Sequence, residues 1–509
     1  MKTNIRIALI AAWACSWPLV SLGAERKPQE ANLSVTTPIG PDVLFPAGLK
    51  GHEGISMLFQ FQLDLLAAPA RTVPFEALLG QDILVSLALP EGSVRYFGGI
   101  CSRVSQGDRK RGFATYQVEV MPKLWLLTRT ARSRIFQQLS VPDILRQVLA
   151  EGGVDFEMRL EGHFEPRNYV VQYRETDFAF ASRLMEEDGI YYFFAHTDSG
   201  HQMVLANTAA GHPDVPSGIQ TYQLPKASGA VSGTIFEWTK TQTLRSGKYT
   251  LWDYCFELPQ QNLEATAPIQ PSAQVGQILH LLRLDANAKL EIYDYPGEYA
   301  QRFDGVDPGG GDQPNELQKI FVDKDRTVGI RMQEEAAQSL VVHASSTSPA
   351  LIAGHKFTLE KHFDANGDYV ITSVQHSVRD SSERGSKFDY ANSFTCLPAS
   401  LPFRPPRRTP KPVLPGTQTA IVVGPAGEEI FTDKYGRVKV QFHWDRDGRN
   451  DANSSCWVRV GALNAGLEAG PILIPRIGYE VIVSFLEGDP DQPIIVGSVF
   501  NGQHLPSAR

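Results

Sequence analysis

The chain has 509 residues, 42 % of them hydrophobic and 20 % charged, which fits roughly two to four soluble domains, each with its own core. A net charge of −8 argues against a nucleic-acid-binding surface, which needs a basic stripe. Five cysteines (Cys15, Cys101, Cys255, Cys396, Cys456), widely spaced and without a CxxC pair, argue against a disulfide framework and for buried thiols in a reducing compartment.

The N-terminus conflicts with that compartment. Lys2 and Arg6 precede an apolar run, Ile7 to Leu22, with small residues Ser21, Gly23 and Ala24 near its end, the outline of a secretory signal peptide. Trp13, Trp17 and Pro18 roughen the run, Ala12-Trp13-Ala14 before Cys15 is a poor lipoprotein box, and the competing reading is an extended or misassigned start. No other stretch reaches the roughly 18 apolar residues of a membrane span.

Residues 31 to 130 read as β-strands. Phe59, Phe61, Leu63 and Leu65 alternate inward, and Asp82 to Leu89, Val94 to Ile100 and Ala114 to Val120 continue the pattern between Gly and Pro turns. The period then becomes helical. Ser140-Val141-Pro142-Asp143 resembles a capping box before the stripe Ile144, Leu145, Val148, Leu149, with Gly152 as the stop. Thr176 caps a second predicted helix carrying Phe178, Ala181, Leu184 and Met185, ended at Gly189 and followed by a strand from Ile190 to Phe194.

Short strands return between 234 and 395, interrupted by Gly305 to Pro314, which reads as an exposed loop. Seven prolines with Arg404, Arg407, Arg408 and Lys411 between 398 and 415 read as an extended linker whose charges are more often solvated than functional, with an acidic neighbouring subunit as the competing partner. Beyond it, Val438, Val440, Phe442 and Trp444 alternate with a wet face of Lys439, Gln441 and His443; Cys456, Val458, Val460 and then Val481, Val483, Phe485 repeat the alternation. About five strands in about 75 residues predict a small closed barrel of the OB type. Trp444, Trp457 and Phe485 are the candidate packing residues of that barrel, and Gly436 and Gly478 the candidate positive-φ turn positions.

No catalytic, cofactor-binding or metal-ligating residue is assigned. His52-Glu53 could open an HExxH helix, but position 56 is Ser56. Gly309 to Gly311 lacks the Lys and Ser/Thr of a phosphate cradle. Asp364 to Asp368 and Asp445 to Gly448 have calcium-like oxygen spacing without the bidentate Glu, and read as hairpin turns. Glu186-Glu187 and Glu428-Glu429 read as solvated faces.

Several strings resemble the VgrG family, the hub-and-spike proteins at the tip of the type VI secretion apparatus. They run from LSVTTPIGPDVLF at Leu33 through GISMLFQFQLDLL, YRETDFAFASRLMEEDGIYYFF, YDYPGEY and YVITSVQHS to TDKYGRVKVQFHWDRDG, SSCWVRV, IPRIG and EVIVSFLEGDPDQPIIVG. The resemblance implies a mainly β fold with a helical insertion: a leader or disordered stretch at 1–30, a phage hub-like domain at 31–397 with two barrel subdomains and an α/β insertion near 135–200, a basic Pro-rich linker at 398–418, an OB domain at 419–502 and a stub at 503–509. It implies a homotrimer that docks on a tube protein of the Hcp kind and on baseplate components, with an effector or separate spike protein as a further partner, and with no cofactor and no nucleic acid. Assembly in the cytoplasm and export through the apparatus follow, which disfavours a cleaved signal.

Two departures qualify this. Gly461 to Gly470 lacks the tryptophans that family members place there, and the family's β-helical spike has no counterpart before Arg509, leaving a shortened gene, a separate spike subunit or a degenerate copy open. The competing functions are an enzyme of the tail-lysozyme or effector-bearing type and, if residues 1–24 are a cleaved signal, a secreted binding module.

Overall fold

The structure is a computed structural model, and it describes residues 33–506 apart from 42, 69–70, 90–91, 111–112, 226, 228, 381–387, 463 and 466–472. The leader at 1–30, and most of the Gly461 to Gly470 segment, lie outside the described residues.

A 12-stranded sheet draws its strands from Leu33 to Pro398, the part N-terminal to the linker. Its first six strands run Leu33–Thr36, Asp82–Ala88, Val94–Lys110, Phe113–Met121, Gln60–Ala67 and Phe45–Gly54 in spatial order. They curl around Leu49, Phe59, Phe61, Leu63, Val85, Phe97 and Val118, all wholly or almost wholly buried. The period-two pattern places Phe59, Phe61, Leu63 and Leu65 inward as the sequence predicts.

Phe45–Gly54 then pairs antiparallel with Gly367–Asp380, from Gly48 opposite Arg379 to Gly54 opposite Ser373. That ladder joins the first barrel to a second. The second contains Phe388–Pro398, Leu340–Ser346 and Ile235–Gln242 on one side of Gly367–Asp380, and Lys356–Glu360 and Asp214–Thr221 on the other. A bridge between Tyr222 and Ile235 brings its two ends together.

Between the barrels lies the α/β insertion. Its helices are α1 (Val141–Glu151) and α2 (Asp177–Asp188). Ser140 Oγ accepts from Asp143 N, and Thr176 Oγ1 accepts from Ala179 N, so each cap satisfies one orphan amide of its helix. Gly189 closes α2 with φ +67°, a left-handed conformation that favours glycine. Strands Ala131–Leu139 and Arg167–Thr176 form a separate two-stranded ribbon, and Tyr191–Thr197, Gly200–Ala206 and Phe156–Arg159 a three-stranded sheet.

The longest helix among the described residues, α3 (Lys319–Ala337, 19 residues), falls in the region the sequence reads as short strands. No side chain caps its start at Gln318. Its buried face includes Asp323, Thr327 and Arg331 beside Ile320 and Val328, so no clean apolar stripe marks it.

The C-terminal barrel has 5 strands in the order Lys439–Phe442, Gln418–Val423, Glu480–Phe485, Pro493–Val499, Arg459–Val460. Val438 and Val458 exchange both backbone hydrogen bonds, at 3.1 and 2.8 Å, and close the ring. This is the predicted OB-type barrel, with one correction to its wet face. Lys439 (1 % exposed) and Gln441 are buried. Lys439 Nζ donates to Ala452 O at 2.7 Å and lies 4.9 Å from the Trp457 ring centroid. Gln441 Nε2 donates to Asp445 O, and its Oε1 accepts from Asn450 N. The 445–452 loop folds back over the strand, so its outer face is capped by backbone carbonyls rather than by water.

Candidate functional site at the barrel junction

The C-terminal barrel is joined to the N-terminal half along two polar seams and one apolar seam. In the first polar seam, the Asp433-Lys434-Tyr435-Gly436 turn is drawn tight by Asp433, whose Oδ1 accepts from Tyr435 N and Arg437 N. Gly436 supplies the turn's φ of +70°. That turn aims Arg437, 3 % exposed, out of the barrel. Its Nε donates to Asp433 Oδ2 at 2.6 Å, and its two Nη groups donate to both oxygens of Asp304 at 2.8 Å. Burial alone would lower the arginine's pKa; the hydrogen bonds and charge of Asp304 and Asp433 outweigh it and hold the guanidinium above its ordinary range. The Arg437 guanidinium also lies 5.2 Å from the Phe256 ring centroid.

Trp457 Nε1 donates to Asp307 O at 2.8 Å, and Lys434 Nζ lies 2.7 Å from Asp312 Oδ1. The Gly305 to Pro314 loop, expected to be merely exposed, is therefore a docking element: Gly305 and Val306 are buried and its tip meets the barrel. A loop rich in Gly and Asp offers backbone carbonyls and carboxylates at close range, which is what this seam uses.

The second polar seam centres on Lys411, whose Nζ sits 2.7 Å from both Asp489 and Asp491 of the Leu486–Asp491 loop. Asp491 Oδ1 also accepts from Val171 N at 2.6 Å. One ammonium serves two carboxylates, with unequal results. Burial would lower the Lys411 pKa, but Asp489 and Asp491 raise it; burial pushes Asp489 up to about 6 although Lys411 pulls it back. Behind Lys411, Arg167 pairs with Glu187 and Asp188, Arg183 with Glu175, and Arg302 with Asp323, carrying the charged network into α2 and α3.

The apolar seam comes from the ribbon. Tyr169 and Val171 are buried in the same cluster as the barrel residues Ala420, Val440, Val458, Val483 and Phe485. Tyr173 stands edge-on to Trp444 at 5.4 Å, and its hydroxyl accepts from Gln418 Nε2 at 2.9 Å while Gln418 Oε1 accepts from Trp444 Nε1.

The linker residues are part of the junction too: the Arg404 and Lys411 charges are engaged, against the expectation of solvated charges, while Arg407 and Arg408 are exposed as expected and join through their backbone. Arg404 donates to Gly189 O, Asn207 O and Gln333 Oε1. Glu334 Oε1 accepts from Arg407 N, and Glu186 from Arg408 N and Thr409 N. The segment is a strap held across α2 and α3. Its prolines lack amide donors, so these few N–H groups carry the strap's backbone bonds to the helices.

Of the residues singled out from sequence, Trp457 and Phe485 are buried, while Trp444 is half-buried at the ribbon contact. Gly478 has φ +91° and donates to Val422 O. Sequence reasoning missed Arg437, Asp304, Asp489 and Asp491, and took Lys411 for a solvated linker charge. The Asp489-Pro490-Asp491 loop and the Arg inside the Gly436 turn were visible strings, but nothing local reveals partners more than 70 positions away. Glu53, read as half of a failed metal motif, is buried against Arg95 at 3.1 Å. Among the described residues no group of three or more His, Cys, Asp or Glu is placed to hold a metal ion, and no helix is long and apolar enough to cross a membrane.

Residues 52–382 match the family described as phage tail baseplate hub, and residues 428–500 the type VI secretion system/phage-baseplate injector OB domain. The type VI secretion system spike protein VgrG1a of Pseudomonas aeruginosa is 40 % identical over 480 residues, covering 92 % of this chain and 70 % of that protein. This chain belongs to the VgrG family. VgrG1c of the same organism is 41 % identical over 92 % of the chain, which spans 61 % of that relative's length. An E. coli protein described as a component of the type VI secretion system, similar to the T4 tail proteins gp27 and gp5, shares the fold with a TM-score of 0.60 at 20 % identity over 92 % of this chain and 100 % of its own. A chain of a Francisella PdpA–VgrG complex matches with a TM-score of 0.56 at 9 % identity, covering 94 % of this chain and 80 % of that one. The junction described above thus joins a VgrG hub to its OB domain.

Proposed function

We propose that this chain is a structural tip component of a type VI secretion system or related contractile injection apparatus. Three copies assemble, the hub docks on the tube protein and baseplate, and the tip is exported with the effectors it helps deliver. It performs no chemistry of its own. The observation that carries this reading is the junction. Arg437 and Lys411 bind the barrel to the hub through buried ion pairs, and Tyr169 and Val171 enter the barrel's own core. A part pushed through a target envelope must pass force from one domain to the next without bending, and interlocked cores with buried forked charges suit that task. Family membership supports the same reading through relatives named as type VI spike proteins.

The test is removal of this chain from cells that make it, followed by assay of the tube protein in the culture medium. Loss of tube secretion, restored by the wild-type chain, is the expected result. Secretion that continues undiminished in cells with no other VgrG chain would overturn the proposal.

A further inference from the structure

The hairpin Tyr191–Thr197/Gly200–Ala206 lies against the first barrel, and its contact runs through two histidines that face each other across the hairpin, His196 opposite His201. Both rings act as acceptors. Gly98 N donates to His196 Nδ1 at 3.1 Å, and Lys123 N donates to His201 Nε2 at 3.0 Å. Each accepting nitrogen must be free of a proton, so each ring is held in one neutral tautomer by a backbone amide of the barrel. There is no slack at this contact: a Cβ added to Gly98 would come within 2.9 Å of the Gly200 backbone at the hairpin turn.

The surroundings give a second proton nowhere to settle. The His196 side chain is wholly buried, with Nε2 3.7 Å from a Glu53 oxygen. That carboxylate is already engaged by Arg95 from strand Val94–Lys110, by His376 from strand Gly367–Asp380 and by Ala353 N. Tyr390 covers the far side of His376. The Phe59 and Phe61 rings flank His196 at 4.9 and 5.6 Å. His201 faces Lys123, Asp82 and Asp155, with Phe59 at 5.3 Å and His196 at 6.3 Å. Burial, with Lys123 beside it, holds His201 down at about 4, and burial with Arg95 holds His196 well below its ordinary range.

We infer that His196 and His201 form an acid-operated release between the insertion and the first barrel. As pH falls below the ordinary histidine range, the undocked hairpin takes up protons that the docked rings exclude; a proton on either accepting nitrogen breaks its amide bond and sets a cation beside Arg95, Lys123 or the other ring, so the undocked form gains population. The clamp to the OB barrel is not loosened in the same range, because Asp489 gains a proton there rather than losing a partner. The device therefore frees one element of the hub while the domain junction holds.

Hydrogen–deuterium exchange of the full chain between pH 7.5 and 5.0, corrected for intrinsic exchange rates, tests it. Protection at Gly98, Lys123 and the 191–206 hairpin is expected to fall at least about tenfold, as an undocked histidine of ordinary pKa takes up its proton. Strand Leu340–Ser346 serves as the reference: it exchanges only when the whole chain unfolds, so it is expected to stay more protected than the hairpin at every pH and not to share the hairpin's early loss. In the His196→Asn/His201→Gln variant, amide oxygens replace the accepting nitrogens without titrating, and the pH response is expected to vanish. Wild-type protection independent of pH, or lost equally in the reference strand, overturns the inference without reference to the variant. An equal loss in a folded variant overturns it as well.

Discussion

Arg437 of the OB barrel and Asp304 of the hub, 133 positions apart, meet through two 2.8 Å hydrogen bonds in a forked ion pair. Asp433, from the turn that aims the arginine, takes its third donor. A planar guanidinium matched to two carboxylates fixes direction as well as distance, which a lysine cannot do. The pair therefore sets the orientation of one domain on the other.

Arg437→Met keeps the aliphatic stem and leaves two buried carboxylates without their cation. The expected cost is about 3–5 kcal/mol in urea denaturation, with the barrel losing its contact to the hub first. Arg437→Lys is expected to recover less than half of it, since the fork is lost. A cost below about 0.5 kcal/mol for Arg437→Met, the level of an ordinary surface substitution, would place this pair outside the clamp.

Lys411→Met is expected to destabilise by a similar amount, about 3 kcal/mol or more, because Asp489 and Asp491 are left facing each other. Adding Asp489→Asn to that variant removes one of the charges and is expected to restore about 1–2 kcal/mol. In the wild type, Asp489 keeps its proton up to about pH 6 when folded but ordinarily only to 3.8, so the folded chain binds the extra proton between those values. Its contribution to stability therefore falls as pH rises from about 4 to 6, and Asp489→Asn abolishes that slope. A double variant no more stable than Lys411→Met alone contradicts the shared-ammonium description.

Buried neutral histidines give the opposite dependence. Burial holds His212 and His355 down at about 4, against 6.5 ordinarily. His212 stacks on Tyr191 at 4.7 Å, and its Nδ1 pairs with Gly354 O at 2.8 Å. A depressed histidine pKa means stability that is present above about 6.5 and is lost as pH falls toward 4, because only the unfolded chain takes up the proton. Each contributes a loss of about 1.4 kcal/mol per pH unit in that window. His196, His201 and His376 act in the same sense and together outweigh Asp489. Denaturation at pH 7.5, 6.5 and 5.5 is expected to give falling stability; a flat series would mean that these rings are already charged or are solvated.

The two barrel tryptophans differ in setting. Trp457, 6 % exposed and bonded to Asp307 O, is expected to cost about 3–5 kcal/mol when replaced by Ala. Trp444 is half-buried between Phe442 and Tyr173, so Trp444→Ala is expected to lower the melting midpoint by several degrees yet cost less than Trp457→Ala. Equal costs would mean that the ribbon packs on the barrel more closely than this geometry describes.

Local signals made much of this fold legible. Ser140 and Thr176 announced α1 and α2 because capping is a contact of three residues, and alternation announced Phe59 to Leu65 because one face meets one core. The reading failed where charges are buried. Arg331 and Asp323 occupy the inner face of α3 and hide its period, and Lys439 sits under the 445–452 loop where alternation predicts water. The strap looked solvated for the same reason: its partners Glu186, Glu334 and Asp489 are distant in sequence, and composition cannot reveal a pairing made only by the tertiary fold.

A rigid protomer of this kind is expected to assemble around the axis of an injection tip. Light scattering of the purified full chain tests it most directly. A mass of three times 56.2 kDa, held on dilution, is expected. A mass of 56.2 kDa at every concentration would contradict it, leaving hub and OB barrel as a folded unit that does not form a tip by itself.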